Sequence, residues 1–202
     1  IKYAKTDEGT SIYADALCAD GSSMVTEFIY WSDYYNSIIS PFYSYSTGRT
    51  KETLRSSQVT CRDIDDDGYI EIPEDTSSKK QSSEITSQNW VNYGNTVLSH
   101  KCYSFSCKRD GYILVIDDDD FSKVKANYDS ESRKLTIINK KNKSNVFEIV
   151  TLINSNYSVN DPKYKDYTMI MKNSGFVYLA KVNKSSDIDI NIQTLKDMIK
   201  VY

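Results

Sequence analysis

The sequence predicts a mainly β protein with α+β character. An N-terminal antiparallel, propeller-blade-like segment spans residues 1–98. A small α+β domain with an antiparallel meander and a C-terminal helix spans residues 99–202. Three observations predict this. Short runs rich in Val, Ile, Phe, Tyr and Trp alternate apolar with polar residues between Asp-Gly and Asn-Ser-Gly turn signals. Charge divides unevenly: residues 1–95 carry 8 basic and 15 acidic side chains, and residues 96–202 carry 17 and 13. The clearest helical stripe comes last, where Ile192, Leu195, Met198, Ile199 and Tyr202 share one face, with Asp189 or Asn191 as the N-cap.

In the first segment, Ser11 to Cys18 alternates with Ile12, Ala14 and Ala16 on one face, and Asp20-Gly21 supplies a hairpin turn. Met24 to Trp31 is a second strand by its aromatic and β-branched content. Ser57 to Cys61 and Tyr69 to Ile72 read as two short strands flanking an acidic turn. Asp75 to Ser87 is a polar, Ser-rich stretch that reads as a long loop or connection.

In the second segment, Tyr103 to Cys107 and Tyr112 to Ile116 flank the turn Arg109-Asp110-Gly111. Lys123 to Tyr128, Lys134 to Ile138 and Val146 to Ile153 continue the meander. Tyr167 to Met171 and Phe176 to Val182 form a hairpin about Asn173-Ser174-Gly175, and a short helix is expected between Asn154 and Tyr164.

Length and composition exclude several classes. A chain of 202 residues buries a real core, and 39% apolar with 26% charged residues is not the balance of a disordered chain. A net charge of −3 argues against broad nucleic-acid binding. No apolar run approaches the ~18 residues of a membrane span, so membrane contact is expected only through an anchor outside this chain. The chain opens at Ile1 with no charged, apolar, small-residue leader, which reads as a mature or excised piece and leaves export open.

Cys18, Cys61, Cys102 and Cys107 show no CxxC spacing. On one strand, Cys102 and Cys107 stand ~16 Å apart, too far for a disulfide. Cys18 and Cys61 end strand-like runs and are able to pair across a sheet. The expectation is four free, mostly buried thiols.

The most specific local signal is Asp63-Ile64-Asp65-Asp66-Asp67-Gly68-Tyr69-Ile70-Glu71-Ile72-Pro73-Glu74. Carboxylates at loop positions 1, 3 and 5 converge on one side of a tight turn, and Gly68 permits the reversal. Six to eight hard oxygens at ~2.4 Å suit calcium. Glu74 meets the twelfth position of an EF-hand, but the extended flanks and Pro73 argue against helices there. The expected site is a β-hairpin loop holding structural calcium with Asp63, Asp65, Asp67 and Glu71 as side-chain ligands and Tyr69 giving a backbone oxygen. The competing account is a solvated acidic turn without metal. A dockerin needs two such loops in helical surroundings, and the sequence has one.

Asp63 to Pro73, "DIDDDGYIEIP", resembles the acidic signature of FG-GAP or VCBS-like calcium-loop repeats. The chain is similar to uncharacterised exported lipoproteins of clostridia-like Gram-positive bacteria. Tyr13-Ala14-Asp15-Ala16, Thr26-Glu27, Pro41-Phe42 and Thr53 to Arg55 fit that spacing upstream. Trp90 to Tyr93, Gly111-Tyr112 and Phe176 to Tyr202 fit it downstream. The sequence departs at Asp66, where these repeats usually carry Gly. The resemblance implies an extracellular or cell-surface protein, with blade-like β structure followed by a small α+β domain, and it implies no reaction.

His100 is the single histidine and lies near no nucleophile motif, so it is expected at the surface. Asp117 to Asp120 reads as a solvated turn. Arg133, Lys134, Lys140, Lys141 and Lys143 read as a basic hairpin able to meet anionic polymer or discourage edge pairing. Trp31, Tyr34, Tyr35, Tyr43 and Tyr45 either stack on sugars or protein, or pack within sheets. The sequence therefore predicts a non-catalytic, exported envelope module that binds or scaffolds, its partner an unknown protein or a cell-surface polymer. The alternative is a carboxylate-dependent hydrolase acting on cell-wall or dietary polysaccharide.

Overall fold

Alternation along the N-terminal strands sets the first sheet. In β2 (Gly9–Leu17) and β3 (Met24–Ser32), Ser11, Tyr13, Thr26, Phe28 and Tyr30 face inward and are buried. With β1 (Lys2–Thr6) and β4 (Ser37–Ile39) they form a four-stranded antiparallel sheet in sequence order. Register sets Tyr13 opposite Phe28 and Ser11 opposite Tyr30. The Asp20 carboxylate turns the chain by accepting the amides of Ser22 at 2.9 Å and Ser23 at 2.8 Å, beside Gly21 at φ +68°. A two-residue ladder, β5 (Tyr43–Ser44) with β6 (Arg49–Thr50), follows. The fold is a computed structural model that describes residues 1–6, 9–76, 84–94, 96–158, 161–183 and 187–202.

Next come β7 (Ile72–Asp75), β8 (Ile85–Gly94), β9 (Val97–Cys107), β10 (Tyr112–Ile116) and a one-turn helix, α1 (Asp118–Phe121). Five strands then make a second antiparallel sheet: β11 (Val124–Asp129), β12 (Lys134–Asn139), β13 (Asn145–Ile153), β14 (Thr168–Lys172) and β15 (Phe176–Val182), in the order β11-β12-β13-β15-β14. The chain ends in α2 (Ile192–Met198) and β16 (Ile199–Val201), and the third large sheet runs β16-β10-β9-β8-β7. Strands take 53% of the residues and helices 9%, so the chain is mainly β with antiparallel sheets and a C-terminal helix.

Two compact units result, one of residues 1–77 with 87–103 and one of residues 78–86 with 104–202. Each has its own core. The first is aromatic: Phe28 lies 4.9 Å from Tyr13, 4.8 Å from Tyr93, 5.4 Å from Tyr30 and 6.0 Å from Phe42, ring centre to ring centre. The second is built from Phe105, Leu114, Leu135, Ile137, Phe147, Ile149, Tyr178 and Leu195.

Several expected elements take another form. Ser57 to Cys61 is not a strand, because side chains take its backbone groups. Asp75 accepts the amides of Ser56 at 2.6 Å and Ser57 at 3.2 Å, Asp15 accepts that of Cys61, and the Val59 carbonyl accepts from Arg55. The strand expected over Tyr69 to Ile72 begins only at Ile72, since the Tyr69 amide is turned onto Asp67. It then runs through Pro73, which an edge strand tolerates. The C-terminal helix stops at Met198. Ile199 turns extended, and Leu114 to Tyr112 pair with Ile199 to Val201, where two β-branched residues suit a ladder. Asn191 caps α2, accepting the Thr194 amide at 3.0 Å. Between Asn154 and Tyr164 the chain makes two short 3₁₀ turns, Asn154–Asn156 and Pro162–Tyr164. Of the polar stretch Asp75 to Ser87, the ends belong to β7 and β8, and residues 77–83 lie outside the described residues.

Candidate metal centre

Arg62 and Glu71 face each other as a single antiparallel bridge, with amide-to-carbonyl distances of 3.0 and 2.8 Å. Between them the acidic turn folds on its own side chains. The Asp63 carboxylate accepts the amides of Asp67 at 3.1 Å and Gly68 at 2.9 Å, one on each oxygen. Asp67 accepts the Tyr69 amide at 2.9 Å. Two residues sit in the left-handed region, Asp66 at φ +62° and Gly68 at φ +91°. Ile64, fully buried, anchors the turn from inside, and its amide donates to Glu71 at 3.0 Å.

This folding gathers a donor set. Asp63, Asp65 and Glu71 each offer a carboxylate oxygen, and the three lie within 4.8 Å of one another. Glu71 has no exposure, and its Oε1 has no hydrogen-bond partner among the described residues. Burial raises its pKa to about 7; the Ile64 amide opposes that, and the charges of Asp65, Asp67 and Asp63 add to it. An all-oxygen set with one buried, unpartnered carboxylate oxygen fits a hard divalent cation. A carboxylate oxygen has lone pairs beyond the one an amide occupies, so Asp63 keeps ligating capacity.

Of the five expected ligands, the turn brings together Asp63, Asp65 and Glu71. Asp67 points elsewhere, to Lys101, whose Nζ lies 2.5 Å from Asp67 Oδ2 and 3.2 Å from Asp65 Oδ2. Partial burial pushes the Asp67 pKa up, but the bonds from Lys101 and the Tyr69 amide outweigh it and hold the carboxyl below its usual range. The same bond to Asp67 raises the Lys101 ammonium above its ordinary value. The Tyr69 ring is 42% exposed. Glu74 lies in β7, accepting from Asn89 at 2.9 Å. Sequence reasoning missed Lys101, because it is 34 residues from Asp67 and only the pairing of distant strands brings it there.

The other singled-out residues fall as follows. His100 is exposed, bonded to Asn89, and its ring lies 4.5 Å from that of Tyr103, tilted by 37°. Asp118 to Asp120 form the turn of α1, and Asp120 pairs with Lys123 at 3.0 Å. The basic residues are not one patch: Arg133 and Lys134 stand at one end of β12, and Lys140, Lys141 and Lys143 follow its other end, about 20 Å away for a six-residue strand. Trp31, Tyr34, Tyr35, Tyr43 and Tyr45 are 38–89% exposed, so they are not packed within sheets. None of the four cysteines is in a disulfide; Cys61 and Cys107 are buried, Cys18 and Cys102 half-buried. No described helix is long and apolar enough to cross a membrane. No protein-family model, curated protein or solved structure matches this chain.

Proposed function

We propose that this chain is a non-catalytic, exported cell-envelope module whose acidic loop holds a structural calcium ion and whose β surface binds or scaffolds a protein or cell-surface polymer. One observation carries the metal reading: the Glu71 carboxylate is fully buried, with one oxygen unpartnered, beside Asp63 and Asp65. Burying such a group costs several kcal/mol unless something compensates it. Calcium would be held by Asp63, Asp65 and Glu71, with the Tyr69 carbonyl as a backbone ligand and Asp67 held by Lys101. It would neutralise the turn and pin Arg62 to Glu71.

The kinship to FG-GAP or VCBS-like repeats rests on Asp63 to Pro73, and so does the exported location. The blade-like reading of the first segment draws support from the up-and-down order β1-β2-β3-β4, the strand order of a propeller blade. Binding at the surface draws support from the exposed rings of Trp31, Tyr34 and Tyr45.

The hydrolase reading draws on the same carboxyl, since a pKa of about 7 suits a general acid. The complete burial of Glu71 stands against it, because a glycosidic oxygen cannot reach the group.

The test is a melting curve in chelator and in calcium. Saturation at 100 times the Kd stabilises by about 2.7 kcal/mol. Asp65→Ala is expected to remove that increment, and a curve indifferent to calcium ends the metal reading.

A further inference from the structure

Lys101 belongs to β9, far in sequence from the acidic turn, yet its ammonium bridges two of the turn's carboxylates at 2.5 and 3.2 Å. It is 29% exposed, and Asp65 and Asp67 are 30% and 32% exposed, so the contact is partly shielded from solvent. Asp65 therefore belongs to two groups at once: the Lys101 bridge, and the donor set with Asp63 and Glu71. The buried member of that set, Glu71, keeps one oxygen without a hydrogen-bond partner among the described residues, so Lys101 compensates the outer acids and not the inner one.

We infer that Lys101 is an intramolecular competitor for the divalent cation: it holds the loop closed without metal and weakens metal binding by occupying Asp65 and Asp67. This rests on the calcium reading above and adds its regulation. A divalent ion and an ammonium sharing one carboxylate repel each other, so binding must either displace Lys101 from Asp65 or proceed against its charge. The loop is then a two-position device. In one position a β9 side chain bridges its outer acids; in the other the ion takes Asp65, and Lys101 keeps Asp67 alone or swings to solvent. A calcium-loop without such a lysine would bind more tightly and collapse more completely in chelator.

The experiment compares wild type, Lys101→Met and Lys101→Arg by calorimetric titration with calcium chloride, with chelated melting curves as a folding control. Lys101→Met is expected to bind calcium about tenfold tighter, the effect of removing one unit charge beside a dication in water-like surroundings. Lys101→Arg is expected to stay within a few-fold of wild type, because the charge remains. In wild type, acylation of Lys101 followed by mass spectrometry is expected to rise when calcium replaces chelator. That readout stands even if Lys101→Met fails to fold. Equal or weaker binding by Lys101→Met, or unchanged acylation in a protein that does bind calcium, overturns the competitor role and leaves the calcium reading intact. If neither wild type nor Lys101→Met takes up calcium at millimolar ion, the calcium reading falls and this inference with it. Binding by Lys101→Met alone supports the inference in its strongest form, with lysine having replaced the ion.

Discussion

The amide of Ile64 donates to the Glu71 carboxylate at 3.0 Å, from a residue with no exposure to another with none. That bond lets one oxygen of a buried acid persist, and it leaves the other unpartnered. The consequence is a specific pH dependence. Burial lifts the Glu71 pKa to about 7, above the ~4.3 of an unfolded glutamate. Between those values the folded chain holds a proton that the unfolded chain has lost. Stability in chelator therefore falls as pH rises from about 4.5 to 7, by on the order of 3 kcal/mol. Other carboxylates slope the opposite way, Asp20 among them at about 2, so the measurement is a difference. Urea unfolding of wild type and Glu71→Gln across that range should show the variant gaining on wild type as pH rises. Parallel profiles would mean that Glu71 titrates normally.

The turn stores its strain at Asp66. With φ at +62°, this residue occupies a conformation that glycine adopts freely and most L residues avoid. Asp66→Val is expected to cost about 1–2 kcal/mol, with Asp66→Gly close to wild type or better. Chemical denaturation of the chelated protein checks both. An Asp66→Val protein as stable as wild type would show that the turn rearranges.

Tyr112 to Ile116 and Phe176 to Val182 are buried on three and four successive positions, and they were legible by apolar, β-branched and aromatic content between turn signals. Strand periodicity was legible at Met24 to Ser32, where buried Thr26, Phe28 and Tyr30 alternate with less buried residues. It failed at β8, whose buried positions include Ser87 and Gln88, so polar residues hide the apolar face. It failed again at Ser57 to Cys61, where an extended chain spends its backbone bonds on the side chains of Asp15 and Asp75. Three acids of the site were legible because local chain geometry gathers them. Lys101 was not, because nothing in Leu98 to Lys101 encodes its partner, and a contact across 34 residues follows from sheet register.

In the second unit, Asp110 has no side-chain exposure and is paired to Arg133 at 2.6 Å, with the Tyr128 hydroxyl donating at 2.9 Å. Arg133 also lies over the Phe176 ring at 4.7 Å. Removing the cation leaves a buried carboxylate facing neutral donors, the Tyr128 hydroxyl and the Cys107 thiol. Arg133→Met is expected to lose about 3–5 kcal/mol, whereas the double variant Arg133→Met with Asp110→Asn recovers part of it. Thermal melts of the three proteins decide it. A single variant as stable as wild type would show that Asp110 takes a proton or finds water instead.

Phe28 tests the first unit separately. It is fully buried, and four aromatic rings surround it at 4.8–6.0 Å. Aromatic side chains are too large and rigid for neighbours to collapse into the space they leave, so truncation creates a cavity as well as losing transfer free energy. Phe28→Ala is expected to cost about 3–5 kcal/mol, and Phe28→Leu less than half of that, because Leu retains most of the volume. The loss should register in the fluorescence of Trp90, which is buried in the same unit and lies in β8. If Phe28→Ala shifts the transition no more than Phe28→Leu does, the aromatic cluster is loosely packed, and the first unit draws its stability from elsewhere, with the Asp15–Arg55 pair at 2.8 Å as the next residue pair to remove.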